Sequence, residues 1–270
     1  MPNTYAHYRF GLDVYREMTP QEQALVRRHN RLYFLGLHGP DLLFYYRPLF
    51  TNKINSIGYD MHEWTGRQFF TRGAHLVRVS PDPPAAQAYL MGFVCHFALD
   101  SICHPYVDEK IRQSGAEHTE IEGAFDRALM VHDGLDPVRH RTMDHIIPDR
   151  RGAAVIAPFF APATRENIYL AMRSMALCGN LMTAPGSFQR YLIDKVLHLT
   201  GNWESMHGMI ITKHRDRQFA DSDRRLWQLY HQALSEVPSM LRQTEDLIRG
   251  TGSPDARFNR TFSGKITGNI

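Results

Sequence analysis

A chain of 270 residues with 43% hydrophobic residues is long enough for one large packed domain. Its 31 Lys and Arg against 28 Asp and Glu leave a formal charge of +3, too small and too evenly spread for a nucleic-acid-binding face. Three cysteines, Cys95, Cys103 and Cys178, cannot all pair within one chain and form no CxxC, so neither a disulfide framework nor a thiolate zinc knuckle is indicated; the 15 histidines are the compositional outlier.

The opening Met1-Pro2-Asn3-Thr4-Tyr5-Ala6 lacks the basic and then apolar character of a secretory leader. No apolar run approaches the roughly 18–20 residues that span a bilayer, so a soluble, cytoplasmic protein without a transmembrane segment is expected. The first helix signal runs over Pro20 to Leu37, with Thr19 as N-cap and Pro20 at the first helical position. Gly39-Pro40-Asp41 breaks it, and the apolar-aromatic stretch Leu42 to Tyr46 follows. A second helix covers Trp64 to Val79. The clearest one spans Pro83 to Lys110, capped by Asp82 and opened by Pro83-Pro84.

Ser114-Gly115 ends that helix, and another runs from Glu117 to Val131. Residues 132–162, rich in Pro, Gly and Arg, are expected to loop over the surface. Helices follow over Arg165 to Cys178, Gly186 to Leu199, and Arg224 to Arg249, the last bending near Pro238. No alternating strand pattern and no internal repeat is present. The expectation is a single all-α, multi-helix domain over residues 1–249, followed by a polar, weakly ordered tail over 250–270.

The chemistry concentrates in His96-Phe97-Ala98-Leu99-Asp100-Ser101-Ile102-Cys103-His104. Positions i, i+4 and i+8 share a helix face, so His96, Asp100 and His104 form one stripe. Gly92, one turn earlier, is expected to leave open space beside them. Because the intervening residues are apolar, the stripe is buried, and buried polar groups without partners cost several kcal/mol. A metal ion satisfies all three; a hydrogen-bonded His-Asp-His ladder is the metal-free alternative. His118 and Glu122 repeat the i, i+4 spacing on the next helix. A short turn makes the two helices antiparallel neighbours, which brings His104 toward His118 and Glu122. Two imidazoles, one carboxylate and an open position suit a catalytic zinc.

The order H-x3-D-x3-H followed by H-x3-E resembles the zinc-dependent phospholipase C family, whose all-helical fold is shared with fungal single-strand nucleases of the P1 type. The resemblance covers roughly Thr4 to Val131. It implies three metal positions holding two or three Zn²⁺ ions: one on His104, His118 and Glu122; one on Asp41, His62, His96 and Asp100; and a third on His7, bridged by Asp100. Met61-His62-Glu63-Trp64-Thr65 is similar to a His-Trp-Thr stretch of the animal members, and Asp41 follows its turn as the family's aspartate does. Secreted members also use their mature N-terminal residue as a ligand; here that would be Met1 or, after methionine removal, Pro2. Asp41 is the implied catalytic residue, as ligand, general base or both. The implied activity is zinc-dependent hydrolysis of a phosphate ester or phospholipid. A quaternary-ammonium headgroup would need an aromatic cage, for which Tyr45, Tyr46, Trp64 and Phe69 are candidates.

Two readings compete. The adjacent pair His132-Asp133 suits an HD-type metal-dependent phosphohydrolase. A metal-binding helical protein without turnover is the other, although its ferritin-like form needs Glu-x-x-His pairs rather than His-x-x-x-Glu.

Overall fold

A computed structural model describes residues 4–266. Helices account for the architecture, and the described residues contain no strand, only two isolated β-bridges, Thr65 with Thr261 and Arg260 with Ile266. The all-α expectation holds. No described helix is long and apolar enough to cross a membrane.

The organising element is α6, Pro83–Ser114, which starts at the predicted proline and runs a turn beyond the predicted end. Asp82 caps it, its side chain accepting from the Ala85 amide at 3.2 Å. From Tyr89 to His104 every residue is buried, as expected of a helix that is apolar nearly all round and therefore central. α3 (Asn30–Gly36) and α12 (Ala220–Arg249) make its most extensive contacts; α1 (Thr4–Glu17), α5 (Gly66–Arg78) and α7 (His118–His132) also pack on it.

Four sequence expectations need correction. Pro20 to Leu37 is two helices, α2 (Pro20–Arg28) and α3, because the chain leaves helical geometry at His29, where φ is −122° and ψ is 35°. Gly92 leaves no open space. A Cβ there would collide with the Tyr33 carbonyl of α3, and one at Gly36 with the Tyr89 carbonyl of α6, so these glycines let two backbones touch. The predicted loop 132–162 contains helix α8 (Arg150–Ile156), capped by Asp149, and a 3-10 turn over Ala157–Phe160. The described part of the expected tail is packed: Phe258 and Phe262 are fully buried in the main core.

Helix α1, which carries His7, lay outside the predicted helices. Its start is held from outside: Asp126 of α7 accepts from the Tyr5 and Ala6 amides at 2.9 and 2.8 Å. These are two of the amides that a helix N-terminus leaves without partners.

Candidate metal centre

Asp41 sits in a 3-10 turn, Gly39–Tyr45, whose first residue has φ of 48°. A side chain at Gly39 would be strained there and would strike the His96 ring, so this glycine brings the Asp41 turn down onto α6. His62 ends α4, Asn55–His62, which packs on the same turn. His7 enters from α1, its ring stacked on that of His96 at 4.5 Å. α6 supplies His96, Asp100 and His104 from one face; α7 supplies His118 and Glu122.

These side chains converge into three groups, each with ligand atoms within 4.8 Å of one another: His7, His96 and Asp100; Asp41, His62 and His96; His104, His118 and Glu122. Asp100 divides its carboxylate between neighbours. Oδ1 is 3.1 Å from His7 Nε2, while Oδ2 is 3.2 Å from His96 Nε2 and 3.9 Å from His62 Nε2. Asp41 Oδ1 lies 3.2 Å from His62 Nε2, and Glu122 Oε1 lies 2.7 Å from His118 Nε2 and 3.7 Å from His104 Nε2. His96 reaches two groups, whereas the family resemblance assigned it to one.

The residues fit zinc on three counts. First, two ligands at about 2.0–2.1 Å from one zinc sit about 3.3 Å apart, close to the separations just given. Second, His7 Nδ1 and Nε2, Asp41 Oδ1, His96 Nε2, both Asp100 oxygens and His104 Nε2 are buried without a hydrogen-bond partner among the described residues. So many orphaned polar atoms in one place would be costly unless a cation engages them. Third, the tautomers are set. His62 Nδ1 donates to the Gly58 carbonyl at 2.8 Å, His96 Nδ1 to Leu37 at 3.2 Å, and His104 Nδ1 to Phe262 at 3.2 Å. Each bond leaves the Nε2 lone pair facing the centre, the usual outer support of a metal-bound imidazole.

The electrostatics agree. Burial works against the charged form of His104, yet Asp100 and Glu122 beside it hold its pKa up at about 9. Burial and the neighbouring His96 push His7 down, whereas Asp100 outweighs burial at His96 and raises it. Asp100 itself stays well below the usual carboxylate range: burial opposes ionisation, but His96 and His104 overcome it. Asp41 is lowered in the same way, chiefly by His62, and Glu122 by His118. The centre opens to solvent at His62 and His118, the only members not fully buried.

Two features escaped the sequence reading. Asp126 continues the His118–Glu122 stripe by one more turn, a spacing that could have exposed it, and burial raises its pKa to about 8. His38 and His145 meet at 2.7 Å between their Nε2 atoms beside the centre. Burial pushes both down, His145 to about 3, so one neutral ring donates to the other. No spacing links them, since His145 lies in the stretch expected to be surface loop.

The four candidate cage aromatics have separate surroundings. Phe69 stacks on Phe93 at 4.1 Å in the core, and Tyr45 is buried. Trp64 lies under the Arg72 guanidinium, and the Tyr46 hydroxyl accepts from Asn167. The adjacent pair His132-Asp133 faces away from the cluster. His132 is exposed against Trp227, and Asp133 accepts from the Tyr5 hydroxyl and from Arg9, each at 2.7 Å. Neither residue joins a possible metal group among the described residues. The expected ligand at Met1 or Pro2 lies outside those residues.

Comparison with curated proteins and with solved structures gave no match. The family model for zinc-dependent phospholipase C matches residues 6–173, a span holding all eight converging side chains. With more than half of its length matched, and with the donor set just described, this chain belongs to the zinc-dependent phospholipase C family.

Proposed function

We propose that this protein hydrolyses the phosphodiester of a phospholipid or a related phosphate ester at a multinuclear zinc centre. His7, His96 and Asp100, then Asp41, His62 and His96, and then His104, His118 and Glu122 would hold the ions. The observation that carries this reading is that three groups of histidines and carboxylates converge, each with its ligand atoms within 4.8 Å of one another. Zinc bound there would supply positive charge for the phosphate oxygens and would acidify water.

The chain's own residues supply the rest. Asp41, held ionised by His62, is the base that takes the proton from the attacking water. Water oxygen bonds to phosphorus, the bond from phosphorus to the lipid alcohol oxygen breaks, and Asp41 returns the proton it took to that oxygen, which leaves as the alcohol. Burial of the other six donors strengthens the charge interactions among them, while the side open at His62 and His118 admits water.

The test pairs elemental analysis with hydrolysis of p-nitrophenyl phosphorylcholine. The expected outcome is more than one zinc per chain and an activity that chelation abolishes and zinc restores. A protein that carries zinc and cleaves no phosphodiester would be a metal-binding member without turnover, and the proposal would fail.

A further inference from the structure

Away from the metal centre, an apolar cleft of about 550 Å³ opens between the 47–50 loop, α9 (Arg165–Met182) and α10 (Ser187–Leu199). Leu49, Phe50, Leu181, Leu192 and Val196 line it, and exposed Arg47 is its one charged member. The size suits a ligand, but the wall offers almost no polar group that could orient a hydrophilic one.

The cleft sits within a wider exposed apolar face. On α10, Ile193 and Leu197 turn inward onto Ala184, with Trp203 and Met206 packed against them. Phe188, Leu192, Val196 and Leu199, at i, i+4, i+8 and i+11, turn outward. Leu177 and Leu181 continue the face one turn apart on α9, and Phe50 adds to it from the loop. Leu177, Phe188 and Leu199 are each at least 70% exposed. Scattered exposed leucines need no explanation, but a contiguous set around an apolar cleft marks an interaction surface.

Charge identifies the occupant. No Asp or Glu lies between Tyr46 and Tyr59, and Asp194 is the single acidic residue of 171–199. Its Oδ1 accepts from the Trp203 indole at 2.6 Å. Arg47, Lys53, Arg173 and Lys195 are exposed on the same segments. Arg47 lies over the Tyr46 ring and Lys195 over Tyr191, so cations and aromatic rings are paired as at a membrane interface. A two-fold dimer through this face would set those cations against their own copies with little acid to answer them.

We infer that the α9–α10 face docks on a lipid bilayer carrying anionic lipid, with an acyl chain entering the cleft. The 39–50 segment then has two ends with two tasks: Asp41 stands at the metal centre and Phe50 at the bilayer. α9 packs directly on the turn that carries Asp41, so lipid held by this face lies beside the segment that builds the centre. The link to turnover rests on the phospholipase-like reading; the docking surface itself does not.

The test is co-sedimentation of the zinc-loaded full-length protein with vesicles of phosphatidylcholine alone and of equal parts phosphatidylcholine and phosphatidylglycerol. Binding to the anionic vesicles should be about tenfold or more the stronger and should weaken with salt. Leu199→Glu and Leu192→Glu should each cut it by about tenfold, and Leu199→Ala by less. Cleavage of soluble p-nitrophenyl phosphorylcholine by the same variants should match the parent, which also shows that they fold. Absence of vesicle binding, or equal binding by variants and parent, overturns the inference. Light scattering that finds a dimer split by Leu192→Glu overturns it too and gives the face to a second copy. Vesicle binding without hydrolysis of any ester leaves the surface standing and removes the catalytic reading instead.

Discussion

His104 Nδ1 donates to the main-chain carbonyl of Phe262, 3.2 Å away and 158 positions later in the chain. Through this bond the C-terminal segment sets the tautomer of a residue on the central helix. The Phe262 ring also contacts those of His62, His96, Phe93 and Phe97, so the segment is a wall of the centre.

Phe262→Ala keeps that carbonyl and removes only the ring, so it should act chiefly on stability. Truncating a fully buried phenylalanine costs about 3–5 kcal/mol, and urea unfolding of the zinc-loaded protein should show a loss of that order. Removal of residues 250–270 should lower zinc content as well, because His104 loses its outer partner. A truncated protein with parental zinc and parental stability would show that the segment is a passive cover.

Asp100→Asn should lose more zinc than Glu122→Gln. Asp100 lies 3.1–3.9 Å from His7, His96, His62 and His104, whereas Glu122 lies 2.7–3.7 Å from His118 and His104. The amide keeps the size but presents an NH₂ to one side and removes the charge that balances the imidazoles. Elemental analysis of both variants, purified with excess zinc, decides the ranking. If Asp100→Asn retains the parent's full complement, the carboxylate is not shared between ions.

The parts of the centre visible in the sequence are those written by helical periodicity. His96, Asp100 and His104 share a face because i, i+4 and i+8 do so on any helix, and His118 with Glu122 follows the same rule. The main helices were legible for a related reason, since caps such as Asp82 and Thr19 act locally. His7, Asp41 and His62 carry no such spacing. Their place beside α6 depends on contacts that only the fold makes, namely the Gly39 turn against His96 and the Asp126 cap on α1. The family resemblance, not the periodicity, pointed to those three. The packing of 250–266 was hidden by composition: Phe258 and Phe262 are two rings in a polar stretch, and nothing local marks them as core.

Zinc affinity should rise with pH between about 7 and 9. In the metal-free protein His104 has its pKa held up at about 9, so at neutral pH it carries a proton that a metal must displace. Addition of zinc to the metal-free protein in weak buffer at neutral pH should release protons. The same shift has a stability consequence of definite sign. A histidine raised from 6.5 to about 9 on folding stabilises the metal-free fold fully below pH 6.5, and that contribution fades as pH rises through 9. Thermal unfolding of the metal-free protein should therefore shift downward between those values. Zinc titration by calorimetry across the same range checks the affinity; a flat profile would mean that His104 is already neutral.

The sharpest comparison sets Glu122 against His132. Glu122 lies 2.7 Å from His118 Nε2 and 3.7 Å from His104 Nε2 in a buried group suited to a metal. Glu122→Gln keeps the shape and removes the charge, so zinc content should fall and kcat/KM on p-nitrophenyl phosphorylcholine should drop by about tenfold or more. His132 stands in solvent against Trp227, clear of the cluster, and His132→Ala should change kcat/KM by less than about twofold. An HD-type centre demands the opposite order, because its adjacent histidine and aspartate are the ligands. Asp133 adds a control. Its bonds to Tyr5 and Arg9 anchor α1, so Asp133→Asn should lower stability while the residual folded protein keeps its zinc. Circular dichroism on each variant separates loss of fold from loss of chemistry. An inactive His132→Ala beside an active, zinc-replete Glu122→Gln would remove the assignment of this centre and place the active site at the C-terminal end of α7.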